Sequence, residues 1–290
     1  MKFRVFALII IIALLSFCGC KSEDNIAAIE QGFSKYEKDD RVGIECHNTV
    51  YFNDYSVRFN QLIGKDETIL TIGAMDECFY YLSSKEIGLF SFEITINKCD
   101  CEGHNSRELL RKNGYQTQPS ALGDNKGVYI EHYDNNIMGR RIVDYYDFIT
   151  GEYISDISCD EQQTLRELLS AKNAKDNSFR IDNNKNSISV IRMTDKAMHI
   201  INDETLRKSE YYSLLVEYDY ELEKAEIYDE TIMFSCRLNA GNDWSLDPLQ
   251  CCVVFEYCFE KEQILFKTLI FATDLEAYSI VCIEPKRGEY

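Results

Sequence analysis

From residue 44 onward the apolar positions fall in short runs, not in helical stripes. Runs rich in Tyr, Phe, Val and Ile are broken by Asn, Asp and Gly, the pattern of strands and turns. "CFYYLSSKEIGLFSFEI" (78–94) reads as a strand, a polar turn at Gly88 and a second strand. "GVYIEHYDNNIMGRRIVDYYDFITGEYI" (127–154) repeats that plan, with turns at "YDNN" and "FITGEY". "YYSLLVEYDYELEKAEIY" (211–228) and "QCCVVFEYCFEKEQILFKTLIF" (250–271) read as two further strand–turn–strand units. Two segments read as helices instead. "SCDEQQTLRELLSAKNAK" (158–175) has Ser158 and Glu161 at capping-box spacing, and Leu165, Leu168 and Leu169 share one helical face. "NSRELLRKNG" (105–114) reads as a shorter helix stopped by Gly114.

The hairpin units recur at intervals of about 40–60 residues, the size of a β-propeller blade. "INKCDCEGHNSREL" resembles the strand-to-turn phrase that ends blades in exported bacterial propellers. The fold expected is mainly β and antiparallel, β-propeller-like with four or five irregular blades and one or two short helices. A β-sandwich or an α+β arrangement is the alternative.

The first 20 residues follow another pattern. MKFR gives a short positive start, residues 5–17 (VFALIIIIALLSF) form an apolar run interrupted only by Ser16, and Cys18-Gly19-Cys20 follows. A membrane-spanning helix needs roughly 20 apolar residues, so this run has the length of a signal-peptide core instead. The stretch resembles the lipobox of bacterial lipoproteins, with Gly19 before the cleavage point and Cys20 as the lipidated thiol. It departs from that family at Phe17, usually Leu, and at Cys18, usually a small residue. The resemblance implies a signal peptide over 1–19 and a mature chain starting at a lipidated Cys20. A polar tether holding at most one or two helical turns is expected over 20–43, and one β-rich domain over 44–290. An uncleaved anchor, or an ordinary signal peptide with a fortuitous cysteine, is the plainer alternative.

Charge narrows the partners. With 31 Lys and Arg against 49 Asp and Glu, the formal net charge is −18. Nucleic-acid binding depends on basic residues neutralising phosphates, and attraction to anionic lipid headgroups needs polybasic segments. The expectation is therefore no nucleic acid, and membrane contact through the N-terminal lipid.

Candidate chemistry is sparse. Beyond Cys20 lie Cys46, Cys78, Cys99, Cys101, Cys159, Cys236, Cys251, Cys252, Cys258 and Cys282. Their spacing forms no repeating framework, and both buried thiols and one to three disulfides stay open. Cys251 and Cys252 are adjacent, so on a strand they point to opposite faces. Cys99, Cys101 and His104 are the nearest thing to a zinc set, but they lack a fourth ligand and usual spacing, and a turn is the simpler reading. "DNNKNS" (182–187) has Asp182, Asn184 and Asn186 at alternate positions like a calcium loop, yet lacks its glycine and its closing Glu. No metal or other cofactor is expected. The four histidines (His47, His104, His132, His199) are scattered, and Asp144 and Asp147 fall on opposite faces of a strand. Neither arrangement makes a catalytic pair. The loop "NAGNDWSLDP" (239–248) holds the sole tryptophan, Trp244, between Asp243 and Asp247. A ring beside carboxylates suits stacking on a sugar, and equally a plug in a small core.

These features point to a lipid-anchored, exported protein of the bacterial cell membrane, facing away from the cytoplasm. It would bind a protein or glycan ligand without catalysis. An envelope glycan hydrolase, or a structural subunit of an envelope complex, is the alternative.

Overall fold

The computed structural model describes the chain from residue 25 to residue 283, except 125, 135–138, 158–162, 170–178, 185, 229–230, 240–248, 274, 276 and 277. It is mainly β, with five antiparallel sheets of three or four strands among the described residues. Four of these sheets are meanders of strands consecutive in sequence, and the fifth adds β19 (Ser279–Cys282) beside β1 (Val42–Cys46), the organisation of propeller blades. The sequence pattern reads as one domain after residue 43, whereas the contacts form two compact units. One is built on Arg41–Arg180 and completed from Val281. The other joins the segment before Arg41 to Ile181–Ile227 and Thr231–Ile280.

In the first unit, β1 (Val42–Cys46), β2 (Thr49–Tyr51) and β3 (Ser56–Arg58) form a sheet whose outer strand is β19 (Ser279–Cys282), from the far end of the chain. The second sheet is β4 (Glu67–Met75), β5 (Cys78–Gly88), β6 (Ser91–Asp100) and β7 (Arg107–Tyr115) in sequence order. The third runs β8 (Ser120–Gly123), β9 (Gly127–Tyr133), β10 (Arg141–Asp147) and β11 (Tyr153–Ile154).

The run of aromatics in β5 is explained by burial on both faces. Phe79 and Tyr81 pack with Phe52, Phe59, Cys99 and Val281 on one side. Tyr80 and Leu82 pack with Ile94, Ile130 and Phe148 on the other. Period-2 alternation then divides apolar residues between two cores instead of between core and water. Gly73 permits this closeness, since a Cβ there would collide with the Asp124 carbonyl.

Residues 105–114 are not helical. They supply most of β7, which pairs with β6 from Lys98↔Arg107 to Phe92↔Tyr115. β7 is an edge strand, and its charges keep that edge from recruiting another chain. Those charges, more usual on a surface helix, are what made the segment read as one. Gly114, read as a helix stop, has φ +94° beside a break in register.

A helix does occupy residues 165–169, here α2, inside the expected 158–175 span. Its Leu165, Leu168 and Leu169 pack on Tyr129, Val143 and Tyr145. Its capping box is Thr164–Glu167: the Glu167 N–H donates to Thr164 Oγ1 (3.2 Å) and the Thr164 N–H to Glu167 Oε2 (2.7 Å). Ser158 and Glu161 lie outside the described residues.

The second unit has a sheet of β12 (Phe179–Asn184), β13 (Ser187–Arg192) and β14 (Met198–Ile201). Another contains β15 (Glu221–Tyr228), β16 (Thr231–Leu238), β17 (Leu249–Cys258) and β18 (Gln263–Thr273). The "DNNKNS" segment is the β12–β13 hairpin, and Asn183 exchanges two hydrogen bonds with the Ala225 backbone (2.9 and 3.2 Å).

"YYSLLVEY", expected as a strand, contains the helix α4 (Tyr212–Glu217), which follows α3 (Asp203–Arg207). Tyr211 and Leu215, four residues apart, are its buried positions, and Val216 faces water. Helical spacing wins here, and among the described residues no strand pairs with this segment.

Residues 25–33 form helix α1, in a stretch expected to be a polar tether. Ile29 and Phe33 are fully buried. Register in β17–β18 shifts so that Val254 faces Thr268 while Phe255 faces Phe266, leaving Lys267 as the extra residue. The irregularity receives the N-terminal segment. The Lys267 carbonyl accepts from the Asp39 N–H (2.7 Å), and Phe266 donates its N–H to Tyr211 Oη (3.1 Å). The Phe33 ring stacks on Phe266 at 5.3 Å.

Candidate functional site

A group of hydrogen-bonded titratable side chains lies in the first unit, on one face of β9–β11. Asp144 of β10 stands diagonal to His132 of β9 and to Tyr153 of β11, because Ile142 faces His132 and Tyr146 faces Tyr153. His132 Nε2 lies 3.2 Å from Asp144 Oδ2, Tyr153 Oη donates to the same oxygen, and the Asp156 N–H donates to Oδ1 at 2.8 Å. Tyr115 of β7 reaches Tyr153 Oη at 2.9 Å, and its ring stands edge-on to His132 at 4.6 Å. Since the Tyr153 proton is committed to Asp144, Tyr115 is the donor to Tyr153.

Burial alone would push the Asp144 carboxyl up, but the bonds from His132, Tyr153 and Asp156 outweigh it and hold the group below 3.8. Burial, then the bonds to Asp144 and Tyr115, drives the Tyr153 phenol far above its ordinary 10.0. Burial is also the main cause that raises Tyr115 to about 12. The Asp144 side chain is 4% exposed and His132 13%. This is an ionised carboxylate saturated by donors and closed to water. It ties β7 to the neighbouring sheet and presents no nucleophile. Asp147, three residues on, instead accepts from the Ile149 and Thr150 N–H groups (2.8 and 2.9 Å) to hold the turn, as opposite faces require.

The second unit holds two smaller groups. His199 stacks on Phe259 at 3.9 Å, and its Nδ1 is 3.0 Å from Tyr257 Oη. Fully buried Cys252 donates to Tyr278 Oη (3.5 Å), which donates to Ser235 (2.8 Å). Burial pushes the Cys252 thiol to about 12.

The β5–β6 hairpin contrasts with these closed networks. Gly88 faces Ser91, so Leu89 and Phe90 are the two turn residues. Leu89 is 86% exposed, Phe90 59% and Ile87 47%. Two-residue hairpin turns favour Asn-Gly or Asp-Gly, which accept positive φ. Here a phenylalanine stands at φ +54°. That conformation costs a non-glycine residue roughly 1–2 kcal/mol, without compensating burial of the ring.

The sequence-derived candidates are not gathered into one site. Cys20, Trp244, Asp243 and Asp247 lie outside the described residues. Cys99 belongs to the core beside Phe79, and burial raises its thiol to about 12. Cys101 is half-buried, and exposed His104 pairs with Glu102 at 3.3 Å. Asp100 holds this turn, accepting from the His104 N–H (2.6 Å) and Asn105 Nδ2 (2.8 Å). Among the described residues, no group of three His, Cys, Asp or Glu side chains is placed to hold a metal ion. Cys78, Cys99, Cys101, Cys236, Cys251, Cys252 and Cys258 are free thiols.

Sequence reasoning missed the His132–Asp144–Tyr153 network, which with Tyr115 and Asp156 draws on four strands and one turn. It also passed over "GLF" at 88–90, where large apolar residues replace turn formers; that mismatch was visible.

No family model and no curated protein matches the chain. Among solved structures it is similar to the tricorn protease, with 11% identity and a TM-score of 0.19. That alignment covers 76% of this chain and 20% of the other, so the chain spans about a fifth of that structure.

Proposed function

We propose that this chain is a lipid-anchored protein of the bacterial cell membrane, exported and tethered through Cys20, that acts by binding and not by catalysis. The apolar run at 5–17 followed by Gly19-Cys20 supports the anchorage. The observation that carries the binding reading is in the first unit: the His132–Asp144–Tyr153 network is spent on itself beneath the surface and leaves no acid or base to offer a substrate. The ligand of such a module is a protein or a glycan.

The anchorage is tested by expressing the full chain in a bacterial host with a clickable palmitate analogue and sequencing the mature N-terminus. The expected product begins at an acylated Cys20, and Cys20→Ser yields an unlabelled, uncleaved chain. A labelled Cys20→Ser variant, or a wild-type chain free of label, overturns the reading.

A further inference from the structure

We propose that the β5–β6 turn, Ile87 to Phe92, inserts into the apolar edge of a lipid bilayer as a second membrane contact. The stretch Ile87-Gly88-Leu89-Phe90-Ser91-Phe92 contains no charge. Its most exposed side chains are the aliphatic Leu89 and the aromatic Phe90, at the extremity of a hairpin. Charges just behind it are engaged with one another. Arg111 Nη1 is 2.6 Å from Glu93, Arg111 Nη2 is 2.6 Å from Glu108, and Lys85 is 3.9 Å from Asp66. Exposed Glu86, beside Ile87 and opposite Phe92, stays at headgroup level while the uncharged turn beyond it leaves water.

The size of the tip selects the occupant. A stable protein interface buries at least about 1,000 Å² with matched shapes. Three side chains on a single turn fall well short of that area, and the charged edge strand beside them is a poor extension of it. A fluid acyl layer demands no complementary shape, only apolar area, and aromatic and aliphatic side chains partition there. The net charge of −18 excludes attraction to anionic headgroups, so the contact is with the apolar part of a neutral bilayer. The unfavourable φ of Phe90 fits this reading, because the turn is composed for what lies outside the fold.

The inference rests on the membrane-anchored reading only for bringing a bilayer within reach. The test uses the full chain in phosphatidylcholine vesicles, with the photo-crosslinker p-benzoylphenylalanine in place of Phe90, and in a second preparation in place of Leu89. A third carries it in place of Ile149, an exposed apolar residue on a different turn of the same unit. Irradiation should give lipid adducts at positions 89 and 90 at least tenfold more often than at 149. Adducts to a second copy of the chain, equal lipid labelling at all three positions, or no adduct overturns the proposal. The mass of the N-terminal peptide from the same sample reports acylation of Cys20 separately. An unmodified Cys20 with a labelled tip removes the anchor reading and leaves the insertion standing.

Discussion

Replacing Asp144 with Ala tests whether the buried carboxylate holds β7 against the β8–β11 sheet. The substitution removes the acceptor for His132 Nε2, for Tyr153 Oη and for the Asp156 N–H. Hydrogen bonds to a charged acceptor contribute about 1.5–3 kcal/mol each. Asp156 is exposed and its N–H can turn to water, so two buried donors bear the loss. Tyr153 keeps Tyr115 as a partner, which trims its share. The expected destabilisation is therefore about 4 kcal/mol, read by urea unfolding with far-ultraviolet circular dichroism and tyrosine fluorescence. Because two units can unfold separately, the shift should appear in one transition. Tyr153→Phe should lose about 2 kcal/mol alone and much less in the Asp144→Ala background, because the two share a bond. A loss below about 1 kcal/mol for Asp144→Ala, or strict additivity of the pair, refutes the network as a structural tie.

Acid should erase part of this stabilisation. The Asp144 carboxyl lies below its ordinary 3.8 in the folded chain, so its contribution is present above that value and is lost as pH falls through the folded one. The stability gap between wild type and Asp144→Asn should be constant near neutrality and shrink below about pH 4. Phe90→Asn should raise stability by about 1 kcal/mol, since Asn tolerates the left-handed backbone, while removing apolar area from the tip. Phe33→Ala should cost about 3–5 kcal/mol, because its ring is fully buried against Phe266; an exposed tether would lose nothing. Native alkylation followed by peptide mapping should leave Cys252 unmodified. A rise from 9.0 to about 12 leaves it about a thousandth of the thiolate, quite apart from its burial.

Strand segments were legible wherever alternation or an aromatic run coincided with a partner strand, as in 78–94 and 250–271. Errors arose where local pattern and tertiary pairing disagreed. The charged 105–114 segment has helical composition but gains a full ladder from β6. "SLLVEY" has strand composition but gains a helix packed through Tyr211 and Leu215. The 25–40 segment reads as a tether with a helical turn or two because Ile29 and Phe33 are spaced one helical turn apart among charges, and their receptor is the irregularity at Lys267, more than 200 residues away. The His132–Asp144–Tyr153 cluster depends on diagonal neighbours in a ladder whose register the sequence does not display.

β19 beside β1 makes the order of synthesis matter. The sheet that opens with Val42 is completed only when residues 279–282 exist, and the other unit needs both the segment before Arg41 and the strands near residue 270. Neither unit is a continuous stretch of chain, so no single proteolytic cut can release one intact. Loop closure over such distances is entropically slow and contributes to high contact order. A chain emerging from a ribosome or a membrane pore must therefore hold β1 with an unpaired edge until β19 arrives. That interval is when a chaperone would have most to do.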